Sequence, residues 1–199
     1  AMEGFSRRGG LGGLGFSSGA VSRAGASGLE RCAVASRGGQ SLGRYGVDRV
    51  VCEMLGGLGV RWVVFGDADD ERREGAIEAL WENRVKGGVA VGSVVWHYLD
   101  GRERLVRPNL GRRGFIYRWH YCAAIWDIDV VTPLLNPDYR ISWDMMVAYQ
   151  AVNTVPVKVV NTVTYDWYQR EGSLTTSEET GMKSAERVRV NAELSALMR

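Results

Sequence analysis

The chain has 199 residues, 45% of them hydrophobic and 24% charged, enough for one globular domain with a sizeable core and unlike a low-complexity chain. A formal net charge of +2 gives no field that would make DNA a principal partner. Lysine occurs only at Lys86, Lys158 and Lys183 among 25 basic residues, and genomic composition explains that arginine bias as well as phosphate binding does.

The leading Ala1-Met2 reads as a remnant of tag removal and is set aside. Residues 3–29 are dominated by Gly, Ser, Ala and Arg. Such a stretch buries too little apolar surface to offset its ordering entropy, so residues 1–29 are expected to be an arm or loosely ordered segment. It is not a phosphate-binding loop, because no strand precedes it and no Gly-Lys-Ser/Thr follows. A single domain is expected over 30–199. Within it, Val47, Val50, Val51, Met54 and Leu55 recur at helical spacing, and Gly56-Gly57 ends the helix. Residues 61–66 form an apolar run of strand length, read as a strand covered on both faces. Ile77, Leu80, Trp81 and Val85 mark the next helix. Residues 88–99 read as a strand, with a hairpin turn at Leu99-Asp100-Gly101-Arg102 and a return over 103–107. Residues 115–131 predict a strand running into a short helix near Pro133, and Asn136-Pro137-Asp138 a turn. A helix over 143–152 and a strand over 155–168 follow. Thr176 and Glu179 form a capping box expected to open a last helix reaching about Leu197. Strands alternating with helices predict an α/β fold with a mostly parallel sheet flanked by helices and one small antiparallel hairpin.

No apolar run approaches the roughly 20 residues that span a bilayer, and no signal peptide is visible. Cys32, Cys52 and Cys122 are odd in number, far apart and without metal-ligand spacing, so they read as reduced thiols. A cytoplasmic protein is expected, with peripheral membrane attachment as the other placement.

Three acids, Asp67, Asp69 and Asp70, follow the strand over 61–66. Open α/β sheets bind ligands at the carboxyl ends of their strands. Helix capping accounts for Asp70 and Glu71, since acids in a first turn gain roughly 0.3–1 kcal/mol from the helix dipole. It does not account for Asp67 and Asp69 together. Two carboxylates in i, i+2 order at a strand end can converge on one Mg²⁺ or Mn²⁺ that bridges them to substrate phosphates.

From about Val34 onward the sequence resembles the family 2 glycosyltransferases of GT-A fold. The resemblance rests on ordered features: Gly39-Gln40-Ser41-Leu42-Gly43-Arg44 before a helix, an apolar strand, Asp-x-Asp-Asp at Asp67 to Asp70, and a helix with Ala76-Ile77 and Leu80. A polar hairpin, Trp143-Asp144 opening a late helix, and Trp167-Tyr168-Gln169-Arg170-Glu171-Gly172-Ser173 ending an aromatic strand complete it.

The resemblance implies a metal-dependent inverting glycosyltransferase. It would move a sugar from a nucleoside diphosphate, by family frequency UDP, to a hydroxyl of a glycan, a lipid-linked saccharide or a protein. Asp69 and Asp67 would hold Mn²⁺ or Mg²⁺, with Asp67 also reaching the ribose. Arg44 and Arg170 would contact the nucleotide sugar. Asp144 would be the base, with Asp127 and Asp129 in reserve. His120, and less so His97, is a further metal ligand or else a packing residue. Tyr117, Trp119, Trp126 and Trp143 fall in the acceptor region, where sugar faces stack on aromatic rings and core packing competes as an explanation. The family's opening strand and its base-contacting acid have no counterpart in residues 3–29, where Gly15-Phe16-Ser17-Ser18-Gly19 is only a faint echo. Either the nucleotide is held differently, a partner chain completes its site, or the chain is a shortened relative. The alternative function is a non-catalytic GT-A-like member of an assembly that binds a glycan or protein. An aspartyl-phosphate hydrolase fits less well, because Asp70-Glu71-Arg72 stands where Ser or Thr is needed.

Overall fold

The computed structural model describes residues 44–111, 119–139, 141–173, 175–179 and 181–197. The arm expected over 1–29, the Gly39–Gly43 part of the arginine motif, Cys32 and Tyr117 lie outside the described residues. In chain order the elements are α1 (Arg44–Gly57), β1 (Trp62–Val64), α2 (Ala76–Glu82), β2 (Val89–His97), β3 (Glu103–Val106), a 3-10 turn (Tyr121–Ala123), β4 (Ala124–Asp127), α3 (Ile128–Leu134), α4 (Trp143–Thr154), β5 (Val157–Tyr168) and α5 (Ala185–Leu197).

The fold is α/β, but the sheet is mixed rather than mostly parallel. β2 is its axis. β5 runs parallel to β2 along one edge, from Val89↔Val157 to His97↔Tyr168. The other edge is shared: β4 pairs antiparallel with Val89–Val91 and β3 antiparallel with Val94–His97. β1 closes the far side, antiparallel to β4. Chain geometry dictates much of this. The turn after β2, with Gly101 at φ 81° and the Tyr98 amide donating to Arg102 O at 2.9 Å, returns the chain at once, and a tight hairpin is necessarily antiparallel. β1, β2 and β5 therefore share one direction, and their carboxyl ends lie at the same side of the sheet.

β2 is buried along Val89–Val95, as a central strand covered on both faces should be. β1 is not so covered. It is a three-residue edge strand whose Val64 stays exposed, because its outer edge has no partner strand among the described residues. Trp119, Trp126, Tyr121 and Tyr165 are the largest fully buried side chains. The Phe65 and Tyr121 rings stack at 4.2 Å, which seats the 3-10 turn against the end of β1.

Two helix starts differ from the pattern read in the sequence. α2 begins at Ala76 behind Gly75, φ 72°, with no side-chain cap, so neither Asp69 nor Asp70 caps it. α5 begins at Ala185, where Ser184 Oγ accepts the Arg187 amide at 3.1 Å. The hydroxyl of Thr176 instead donates to Arg170 O at 2.6 Å, which spends the expected capping box on a turn.

Gly92 marks a register irregularity between β2 and β5. A Cβ there would collide with Thr164 Cγ2 and Oγ1 and lie 2.9 Å from Thr162 O. Gly92→Ala is expected to lower stability by about 1–3 kcal/mol through overpacking, read as a lower denaturant midpoint at unchanged slope.

Candidate metal centre

The acidic loop leaves the carboxyl end of β1. The 3-10 turn carrying His120 at its start leads into antiparallel β4, so it lies at that same end. Asp67, Asp70 and His120 come together there: one ligand atom from each lies within 4.8 Å of the others. A cation with ligand distances of about 2.0–2.3 Å spaces its donors roughly 3–4.6 Å apart, so small side-chain rotations satisfy it. The donor set of two carboxylates and an imidazole suits Mn²⁺ and neighbouring divalent ions.

Each of these candidate ligands is held from behind. The Asp67 amide donates to the Tyr165 hydroxyl at 2.9 Å. Asp70 Oδ1 accepts the Tyr168 amide at 3.0 Å, while its Oδ2 is shut from solvent without a hydrogen-bond partner. Burial, with Asp67 and Asp69 adding to it and the Tyr168 amide opposing it, raises the Asp70 carboxyl to about 6. A half-buried carboxylate with an unpaired oxygen is costly alone and fits a cation. His120 stacks on the Tyr165 ring at 5.1 Å. Burial first, then the positive charges of Arg44 and Arg72, lower its imidazole to about 3. The ring is therefore neutral at pH 7, the form that ligates metal. Its Nδ1 accepts the Cys122 amide at 3.3 Å, a long bond that ligation through either ring nitrogen gives up.

Asp69, expected to hold the metal together with Asp67, is not part of this group. It is exposed, and its backbone carbonyl accepts Nε (3.2 Å) and Nη2 of Arg170. Arg170 Nε also lies 3.6 Å from the Asp69 carboxylate. Arg44 sits beside the centre: Nη1 donates to Asp67 Oδ2 at 2.9 Å and Nη2 to Cys122 Sγ at 2.9 Å. Its Nε is 3.7 Å from Asp48, whose carboxyl burial raises to about 6 against the pull of Arg44. Cys122 and Cys52 are buried free thiols. Burial pushes both up to about 12, so both rest as neutral thiols in the metal-free protein at pH 7.

Asp144 lies in the first turn of α4, preceded by Ser142 at φ 64°, a backbone in which a side-chain N-cap does not form. The Tyr45 hydroxyl takes that place: it accepts the Asp144 amide and donates to Oδ1, each at 3.1 Å. Tyr45 and Arg44 are adjacent at the start of α1, so one helix end touches both Asp144 and Asp67.

Among the described residues, the expected acceptor aromatics Trp119, Trp126 and Trp143 are core residues. Trp119 is 1% exposed and tilts against Trp126, also buried. Trp143 stacks on Tyr139 at 4.4 Å and donates its indole N–H to Leu134 O at 2.7 Å. Neither Trp119 nor Trp143 presents a face to a sugar. Asp127 is fully buried at the opposite end of β1, paired with Trp62, and serves Gly87, Arg61 and the cap of α3. Asp129, at the start of α3, is exposed there too. His97 belongs to a separate cluster, with Nε2 2.8 Å from Asp166 and Nδ1 3.0 Å from Glu103. Asp166 also takes a forked contact from Arg73.

Sequence reasoning left out Asp70 as a candidate ligand, and Arg72 and Tyr165 as its surroundings. A third acid after Asp-x-Asp was a visible signal for Asp70. Arg72 and Tyr165 act on atoms 50 and 98 residues away in sequence, and nothing local marks that. No helix among the described residues is long and apolar enough to cross a membrane. Compared with protein-family models the chain matches none, and no curated protein matches it.

Proposed function

We propose that this protein is a metal-dependent inverting glycosyltransferase of GT-A type that uses a nucleoside diphosphate sugar, with Asp67, Asp70 and His120 as the metal ligands. The convergence of those three side chains at the carboxyl ends of co-directional strands carries the reading. The imidazole favours Mn²⁺ over Mg²⁺. A divalent cation held there offsets the charge that grows on a departing diphosphate. Arg44 and Arg170 flank the acids, where guanidinium forks suit phosphate oxygens. Asp144 would take the proton of the incoming hydroxyl, oriented by Tyr45. A partner chain supplying part of the nucleotide site belongs to this proposal, as does an acceptor that is a glycan, a lipid-linked saccharide or a protein.

One observation favours a second reading, a non-catalytic GT-A-like member of an assembly. Tyr45 closes on both the amide and the carboxylate of Asp144, which is what a structural cap does. Incubation with a panel of UDP-sugars separates the two. The enzyme is expected to release UDP with Mn²⁺ and to stop in EDTA, and Asp144→Asn should slow transfer by 10²-fold or more on the scale of general-base catalysis. Mn²⁺ binding without UDP release from any donor would sink the enzyme and favour the second reading.

A further inference from the structure

We propose that Arg72 is the positioning residue of the metal centre, a clamp that holds the His120 turn against the acidic loop; this rests on the reading of Asp67, Asp70 and His120 as ligands. Arg72 lies two residues after Asp70. Its Nη2 donates to Phe65 O at 2.7 Å, two residues before Asp67, and to Cys122 O at 2.8 Å, two residues after His120. The β1–β4 ladder ends at Val64↔Ile125, so this guanidinium joins the two segments past the point where paired strands hold them.

Tyr165 completes the clamp. Arg72 Cζ lies 5.3 Å from its ring centre, His120 stacks on the ring, and the phenolic oxygen accepts the Asp67 amide. One arginine on one tyrosine therefore touches the backbone or ring beside Asp67 and His120, and Arg72 itself follows Asp70 by two residues. The acids and the histidine are 50 or more positions apart in sequence, and a ligand set assembled over such a separation needs a fixed frame before it binds a cation well.

Charge and geometry oppose each other at Arg72. A guanidinium among the ligands repels a divalent cation, so by electrostatics alone its removal tightens metal binding. As a clamp, its removal loosens the ligands and weakens binding. The sign of the change decides between them.

The test is an electron paramagnetic resonance titration of the full chain with Mn²⁺, read for affinity and for ¹⁴N coupling from His120, with thermal melts to confirm folding. Wild type is expected to bind Mn²⁺ with ¹⁴N coupling. Arg72→Gln should bind about tenfold or more weakly, in the range of lost supporting contacts, and lose the nitrogen signature. Arg72→Lys keeps the charge but has a shorter reach and lacks the planar guanidinium that lies over the Tyr165 ring, so it should also weaken; it decides alone if Arg72→Gln does not fold. Either folded variant binding as tightly as wild type, or more tightly, with ¹⁴N coupling intact overturns the clamp and leaves the metal centre standing. Wild type without bound Mn²⁺ overturns the metal reading and the clamp with it.

Discussion

Asp70→Asn is expected to weaken Mn²⁺ binding by more than about a hundredfold, beyond the 10–100-fold typical of supporting residues. The substitution is nearly isosteric, and the amide oxygen can still accept the Tyr168 amide that Asp70 Oδ1 accepts at 3.0 Å. What it removes is the charge and the Oδ2 oxygen that has no hydrogen-bond partner. Stability should move the other way in metal-free protein. Burial raises the folded Asp70 carboxyl to about 6, above the roughly 3.9 of an unfolded aspartate. A raised carboxyl contributes stability that is fully present below the unfolded value and is lost as pH rises through about 6. Metal-free Asp70→Asn should therefore match wild type near pH 4 and exceed it at pH 7. With Mn²⁺ at a hundred times its dissociation constant, wild type gains about 2.7 kcal/mol and the variant gains little. Wild-type affinity should fall about tenfold per pH unit below about 6, as Asp70 protonates. Thermal melts with and without Mn²⁺ across this range read both effects. A variant that keeps the Mn²⁺ shift would remove Asp70 from the centre.

Asp127→Ala is expected to cost about 2–4 kcal/mol, combining a lost cap with lost charge-assisted hydrogen bonds, and to leave Mn²⁺ affinity unchanged. Asp127 is fully buried. It accepts the Gly87 amide at 2.7 Å, Arg61 at 2.8 Å and the Asp129 amide at 3.2 Å. Burial opposes its charge, but these donors outweigh burial and hold the carboxyl below its usual range. Its contribution is thus present above the unfolded value near 3.9 and is lost as pH falls through the lower folded value. The deficit of the variant, measured by denaturant unfolding, should be largest near pH 7 and shrink in acid. A large loss of Mn²⁺ affinity would mean that Asp127 belongs to the functional site after all.

These two aspartates illustrate what the sequence made legible. Asp70 precedes a run read as helix and invites a capping reading, whereas Asp127 stands in a run read as strand passing into a short helix and is expected only as a reserve base. Asp127 does cap, accepting the amide of Asp129 at the start of α3. Asp70 does not, because the chain turns through Gly75 before α2 begins, and that turn frees the acid for the site. The hairpin at Gly101, the helix over α4 and the long strand β5 follow from local turn chemistry and periodicity. Strand direction does not. In a mostly parallel sheet, the residues before β4 would sit at the amino ends, away from the acids. An antiparallel β4 brings His120 to Asp67 instead, and only tertiary pairing decides between those arrangements. The same limit explains Trp119 and Trp143. Aromatic residues near a site look identical in sequence whether they face a ligand or the core, and here packing against Trp126 and Tyr139 claims them.

The most direct test is a crystal of the protein soaked in Mn²⁺ and measured for anomalous scattering. One ion is expected within about 2.0–2.3 Å of a carboxylate oxygen from each of Asp67 and Asp70 and a ring nitrogen of His120. A crystal in which no ion lies among these three side chains at millimolar Mn²⁺, with Asp67 still on Arg44 and His120 still on the Cys122 amide, would contradict the account.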